Sequence, residues 1–295
     1  QMWLPLLRSK LGPNAELASA AFIWAIIVRM YGARNAGAKQ ESMGYLRGGY
    51  DAVLPVLRRY VESSGVRVVT DARVTAVRSS GDGATIDLHN GGIVEVDDAV
   101  LTLPCARILA LCQGLSPNEQ ARLGRVLYQG VVCPSYLLRR PLKGYYVTNI
   151  TDAGIPFTGV IEMSALVDRE WFGGRHLVYL PRYVTPADPV WQRSDDEIAD
   201  EFFAALQRMV PDLKAEDVVA RRVARAKEVL AISTLRYSTD VMPPLRTSLP
   251  HVFIANSAQI AQGTLNVDET VSLAERSATA LSELLSPARE VVQHA

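Results

Sequence analysis

Two stretches of this sequence place chemically useful residue types at useful spacings. The first is Asn266-Val-Asp-Glu269, where Asn suits a helix N-cap and Glu the third helical position. Ahead of it stand an apolar strand, His251-Val-Phe-Ile-Ala255, and a loop, Asn256-Ser-Ala-Gln-Ile-Ala-Gln-Gly263. A strand, a loop and a helix N-terminus aimed back at the sheet make a site that favours negative charge. The second stretch is Gly44-Tyr-Leu-Arg-Gly-Gly-Tyr-Asp51. Gly48 and Gly49 have no Cβ, so the backbone can pass close to a flat ligand or take φ > 0. Other chemistries find no pattern. The three cysteines (Cys105, Cys112, Cys133) form no CxxC pair and read as small buried hydrophobes. None of the four histidines (His89, His176, His251, His294) has a His partner at i+4, so no metal site is expected. No Ser-His-Asp arrangement stands out, and no catalytic acid or base can be singled out. Arg221 and Arg225 alternate with Val219 and Val223. They form an anion patch or, more commonly, a solvated face. Arg182 beside Tyr183 offers the same choice.

The elements that must position these residues are legible in part. Trp3 to Leu11 reads as a short amphipathic helix stopped by Gly12-Pro13, and Leu17 to Val28 as a charge-free helix. The second is too short to span a bilayer, which needs about 20 apolar residues. It reads as buried core, with a substrate funnel or a membrane-surface contact as sharper alternatives. Arg29 to Glu41 reads as a mobile connection. After Asp51 the residues Leu54, Leu57 and Val61 recur at helical spacing until Ser63-Ser-Gly65. Short strands are predicted at 66–70, 73–77, 85–88 and 93–96, the last two forming a hairpin across Asn90-Gly-Gly92. Ala99-Val-Leu-Thr-Leu103, closed by Pro104, has the unbroken apolar character of a strand buried on both faces. Ser116-Pro-Asn-Glu119 and Ser194-Asp-Asp-Glu197 mark helix starts. Strands at 130–138, 145–148, 157–163 and 176–180 predict an antiparallel sheet with one covered face. Residues 218–230 predict a partly exposed strand returning toward the first domain.

The chain has 295 residues, is 48% hydrophobic and carries zero formal net charge. That length can bury one large or two smaller cores. A neutral chain lacks the basic field that a nucleic-acid partner requires.

The order Gly-Gly turn, helix, Gly65-Val-Arg-Val68, Val74-Thr-Ala-Val77, hairpin and Val100-Leu-Thr-Leu-Pro104 resembles the second half of the FAD-binding domain of flavin amine oxidases, protoporphyrinogen oxidases and phytoene desaturases. The strand–loop–helix at 251–285 resembles the C-terminal motif of the same family, with Asn256-Ser257 in place of the usual Gly-Asp. The resemblance implies an α/β (α+β) fold: the second part of an FAD-binding doubly wound domain, plus a substrate domain with an antiparallel sheet and helices. It divides the chain into 1–43 (helical part of the substrate domain), 44–112 (FAD-binding), 113–230 (substrate domain) and 231–295 (return to the FAD-binding domain). FAD is the implied cofactor. Val74 would touch its adenine side through the backbone. Asn256 would sit near the ribityl or phosphate, Ser257 would be a further cofactor-binding residue, and Asn266, Val267 and Asp268 would lie near the flavin's pyrimidine edge. Gly48 and Gly49 would pass the ring or the substrate mouth.

The implied activity is hydride removal from a small or hydrophobic organic substrate (an amine, a porphyrinogen or a polyene) onto flavin N5. A flavin-free binding or partner subunit and a flavin-dependent nucleotide-sugar mutase are the rival readings. No Gly-x-Gly-x-x-Gly is present, although the family opens with a Rossmann βαβ that carries one. The expectation is a fragment, or a separate N-terminal half or second chain carrying the Gly-rich motif. A cytoplasmic protein, with peripheral membrane contact through the apolar helix as a variant, completes the expected picture.

Overall fold

The structure is a computed structural model that describes residues 3–32, 44–261 and 265–285. In chain order its elements are α1 (Trp3–Leu11), α2 (Ala20–Gly32), α3 (Gly49–Ser63), β1 (Val74–Ser80), β2 (Gly83–Leu88), β3 (Ile93–Val96) and β4 (Ala99–Leu101). There follow α4 (Cys105–Leu111), α5 (Pro117–Gly124), β5 (Tyr128–Leu138), β6 (Val147–Asn149), β7 (Gly159–Glu162), β8 (His176–Tyr179) and β9 (Arg182–Val184). Last come α6 (Asp195–Met209), β10 (Val218–Ala231), β11 (Val252–Ile254) and α7 (Val267–Leu285). The chain divides into two compact units. One gathers Gln1–Ala18, Gly32–Thr70 and Leu127–Ile232, the other Ser19–Tyr31, Asp71–Val126 and Ser233–Ala295. The chain therefore crosses between units at 70/71, 126/127 and 232/233, among other places. The sequence expectation placed crossings at 43/44, 112/113 and 230/231.

The first unit is built on an antiparallel sheet in the order β10-β5-β8-β7-β6, with β9 also paired to β5. Period-two alternation sorts β5 cleanly: Val132, Pro134, Tyr136 and Leu138 are buried, while Val131, Cys133, Ser135 and Leu137 are half-buried. The buried face packs on α6, whose Ile198, Phe202, Ala205 and Leu206 form one apolar stripe. Phe157 and Phe202 meet there with ring centroids 5.7 Å apart, and the Tyr136 hydroxyl donates to the Ala199 carbonyl at 2.6 Å. The expected capping box starts α6: Glu197 N–H donates to Ser194 Oγ, and Ser194 N–H to Glu197 Oε2.

The arginines of β10 resolve their open choice. Arg221 pairs with Asp196 and Asp200, and Arg225 with Asp195, all on α6. They tie strand to helix and make no anion patch. β10 is an edge of the antiparallel sheet, paired with β5 along its length, so it stays in this unit. Arg182 likewise has a partner, Asp188, at 3.4 Å.

The second unit holds the antiparallel meander β1-β2-β3 and the parallel pair β4–β11. The β2–β3 hairpin forms as predicted: Gly91 takes φ +82°, and Gly92 N–H donates to the Asn90 side chain at 3.0 Å. Ala99, Val100 and Leu101 run alongside Val252, Phe253 and Ile254.

Three expectations need correction or placement. Residues 66–70 form no strand, and Val66 and Val69 are exposed. A strand exists only by pairing, and no described strand lies beside them. The stripe on α3 forms at the predicted spacing, yet α3 has no buried residue. Of the expected connection, 33–41 lies outside the described residues, while Arg29–Gly32 ends α2. Among the described residues no helix is long and apolar enough to cross a membrane.

Candidate cofactor site

β4 and β11 run in the same direction, so both end on one side of the second unit. In parallel sheets ligands collect beyond the carboxyl ends of the strands. There the chain turns through Ser257–Gln259, a single helical turn, before α7 begins. Asn256 builds that turn. Its Oδ1 accepts from Ala258 N–H at 3.0 Å, and its Nδ2 donates to the Leu103 carbonyl at 2.7 Å and to Cys105 Sγ at 3.8 Å. Gln259 closes a reciprocal box, accepting from Asn256 N–H at 2.9 Å and donating to the Ile254 carbonyl at 3.0 Å. Beneath it the Tyr237 hydroxyl donates to the Ala258 carbonyl at 2.7 Å. Burial pushes that phenol well above its ordinary value, with the nearby Cys105 adding to the effect, so it stays a neutral donor.

Asn266 caps α7 as predicted: its Oδ1 accepts from Glu269 N–H at 2.9 Å, and its carbonyl from Thr270 N–H at 3.1 Å. The amides of Val267 and Asp268 precede the first intrahelical bond and point out of the helix end. The Asp268 side chain is exposed at the same terminus, where an acid also suits the helix dipole. A cavity of about 490 Å³ opens between α7 and the parallel pair. Thr102, Asn256, Ser257, Leu265 and Thr270 line it toward the strand ends, and Leu273, Ala274, Ala278 and Leu281 farther along α7.

The sequence-predicted residues therefore fall into three places. Asn256, Ser257 and the head of α7 come together at this cavity. Asn256 spends its side chain on the fold, whereas the Ser257 hydroxyl has no partner among the described residues. Val74 begins β1 beside Leu88 in the same unit. Gly48 and Gly49 belong to the other unit, at the start of α3. Both take positive φ, +84° and +58°, and a Cβ on Gly48 would lie 2.9 Å from that of Ala52. Backbone geometry alone requires glycine at 48.

Sequence reasoning missed Tyr237, whose partner Ala258 lies 21 residues away, and Gln259, although the Asn256-x-x-Gln259 spacing is itself a capping-box signal. It also missed an aromatic group on the first unit. Tyr45 packs on Trp171 with centroids 5.5 Å apart, and the Arg47 guanidinium lies 5.7 Å from the same ring. Tyr179 belongs to this group. Burial raises its hydroxyl pKa, and the neighbouring Cys133 and Tyr45 raise it further. With Ser135, Leu137 and Leu177 it marks the sheet face that α6 leaves free. Cys105 and Cys112 are buried as expected, whereas Cys133 is half-buried; burial pushes the Cys112 and Cys133 thiols up to about 11. Among the described residues no cluster could hold a metal ion.

The donor set fits one end of a flavin. Outward helix amides, a spare hydroxyl and an apolar wall suit the pyrimidine edge and ribityl chain. The motif Gly-x-Gly-x-x-Gly does not occur in these 295 residues. The profile of the family described as flavin-containing amine oxidoreductase matches residues 7–282. The chain belongs to that family. A search of curated proteins returns no match. Among solved structures, an oxidoreductase from Methanosarcina mazei superposes with TM-score 0.66 at 17% identity, covering 94% of this chain and 64% of its own. Reduced UDP-galactopyranose mutase gives 0.70 at 13% identity, covering 96% and 64%. Putrescine oxidase bound to putrescine gives 0.60 at 20% identity, covering 80% and 53%. These likenesses show the fold, an α+β arrangement. The chain spans between 53% and 64% of the length of these structures.

Proposed function

We propose that the chain forms the flavin-edge and substrate part of an FAD-dependent oxidoreductase acting on a small or hydrophobic organic substrate, such as an amine, porphyrinogen or polyene. The observation that carries this reading is the capped head of α7 set beside Ser257 at the carboxyl ends of β4 and β11, in a chain of the flavin amine oxidoreductase family. Bound FAD supplies the hydride acceptor, N5 of its ring. The chain's residues position and stabilise. The Val267 and Asp268 amides lower the energy of negative charge at the pyrimidine edge, which favours the reduced ring. Ser257 reaches a ribityl hydroxyl while Asn256 holds the turn that presents it. Val74 contributes backbone contact on the adenine side, and Gly48-Gly49 the close approach at the ring or the substrate mouth. Hydride transfer needs placement more than a protein acid or base.

Flavin-fluorescence quenching on the purified chain, with and without Asn266→Ala, tests the reading. Loss of the cap should cost about 1 kcal/mol of stability. It should also weaken FAD binding by about fivefold or more, because the first-turn amides lose their fixed direction. No quenching at millimolar FAD, or equal affinity in the variant, counts against it. Turnover that requires prior reduction and consumes no electron acceptor would favour rearrangement chemistry instead.

A further inference from the structure

The first unit carries a cavity of its own, about 910 Å³ in volume, beside the connection 150–158 between β6 and β7. Asp152, Gly154 and Pro156 give that connection its turn chemistry. Asp152 Oδ1 accepts from Gly154 N–H at 2.7 Å, and the Asp152 carbonyl from Ile155 N–H at 3.3 Å. Ile150 N–H donates to the Thr158 carbonyl at 3.0 Å and joins the two feet of the loop. At those feet Ile150 and Phe157 turn inward and belong to the core under α6. The cavity therefore has an apolar floor.

Two helices make the other walls. On α1, Pro5, Arg8 and Ser9 are spaced i, i+3, i+4. On α6, Glu201, Ala204, Ala205 and Arg208 are spaced i, i+3, i+4, i+7. Each set lies along one face of its helix. Ala204 and Ala205 are small, which leaves the space between helix and loop unfilled. β9 adds Arg182 and Tyr183. All these residues belong to the same compact unit, on the side of the sheet that α6 covers. None of them has a part in the flavin reading.

Three arginines from three elements thus meet one cavity. Arg182 is paired with Asp188 at 3.4 Å, and Glu201 with Arg193; neither partner lines the cavity. That leaves Arg8 and Arg208 against the one carboxylate of Asp152, an excess of positive charge. Arg208 Nη2 donates to the Gly154 carbonyl at 2.9 Å, which fixes the guanidinium against the loop and leaves its other donors for a ligand. Arg8 is exposed and makes no ion pair with another described residue. A guanidinium pairs with phosphate oxygens through two parallel bonds, and two guanidinia on facing walls suit a head with three terminal oxygens better than a carboxylate with two. The volume is that of a site for a small organic ligand. We propose that this cavity is a second ligand site, separate from the flavin, for a phosphate monoester with an apolar body. Arg8 and Arg208 hold the phosphate, and Ile150, Ile155 and Phe157 meet the body.

The test titrates the whole chain, without flavin, with 1-naphthyl phosphate in a calorimeter. One probe should bind per chain. Inorganic phosphate lacks the body and 1-naphthol lacks the head, so each should bind more weakly by about tenfold or more. Arg8→Glu and Arg208→Gln should each weaken the probe by about tenfold or more, and Ala204→Trp, which fills the space, should abolish saturable binding. All three positions are exposed, so the melting temperature should stay unchanged. Saturating FAD should leave the probe in place, and Arg8→Glu should leave flavin quenching as it is in the unaltered chain. The proposal is overturned by the absence of saturable binding, by inorganic phosphate or 1-naphthol binding as well as the probe, or by unaltered probe affinity in the arginine variants. Displacement of the probe by FAD also overturns it, because the probe would then occupy the cofactor cavity. A chain that binds the probe and no flavin keeps this site and loses the flavin reading.

Discussion

Asn256 shows what a motif can and cannot tell. Its place after an apolar strand suggests a ligand contact, but its side chain is 5% exposed and bonded to Leu103, Cys105 and Ala258. The Leu103 carbonyl is 153 residues away in sequence, so no local pattern could reveal it. Asn256→Ala should therefore cost about 1–3 kcal/mol, since the Leu103 carbonyl and the Ala258 amide lose their partners. Denaturant midpoints would show it. Ser257→Ala should stay within about 0.5 kcal/mol in the same measurement. It should weaken flavin binding by the worth of one hydrogen bond, about 0.5–1.5 kcal/mol. The reverse pattern would exchange their roles. His176 carries a prediction of pH dependence. Burial lowers its pKa, the Glu162 carboxylate opposes that, and Arg169 adds to it; its Nδ1 lies 3.0 Å from Ser164 Oγ. A lowered folded pKa means that the unfolded chain binds the proton more readily. The folded state is then favoured fully above the unfolded value of about 6.5. Stability should decline as pH falls from there toward the folded pKa, and His176→Gln should flatten that decline in urea titrations between pH 5 and 8.

At the scale of elements, local chemistry was the readable part. The cap at Ser116, the capping box at Ser194, the cap at Asn266 and the Asn90-Gly91-Gly92 hairpin formed where their residues predicted, because each is decided within a few positions. The predicted strand at 66–70 failed for the opposite reason: a strand needs a neighbour, and sequence alone does not say where one is. β9 went unseen because Arg182–Val184 is short and its partner, Gly130–Val132, lies some 50 residues upstream. The α6–β10 contact separates packing from charge. Phe202 is fully buried against Phe157, so Phe202→Ala should cost about 3–5 kcal/mol. Arg221 and its partners Asp196 and Asp200 are all a third or more exposed, so Arg221→Ala should cost less than about 1 kcal/mol. Thermal melts of the two variants give the ranking, and a larger loss for Arg221 would mean that the ion pairs, not the apolar stripe, hold helix to sheet.

For the whole molecule the question is which portion of the cofactor these 295 residues can recognise. FMN and FAD share the ring, the ribityl chain and one phosphate; FAD adds the second phosphate and the adenosine. In the function proposed above, the head of α7, Ser257 and the turn built by Asn256 would address the shared portion. A diphosphate is held by closely spaced backbone amides at a strand–helix junction, and the motif Gly-x-Gly-x-x-Gly does not occur in these 295 residues. The backbone at Val74 is the one proposed contact to the adenine side. The chain alone should therefore bind FMN and FAD weakly and within about threefold of each other, a difference of less than 1 kcal/mol. Parallel quenching titrations with the two flavins measure both affinities. If FAD already binds the isolated chain ten times more tightly than FMN, a diphosphate site exists within these residues.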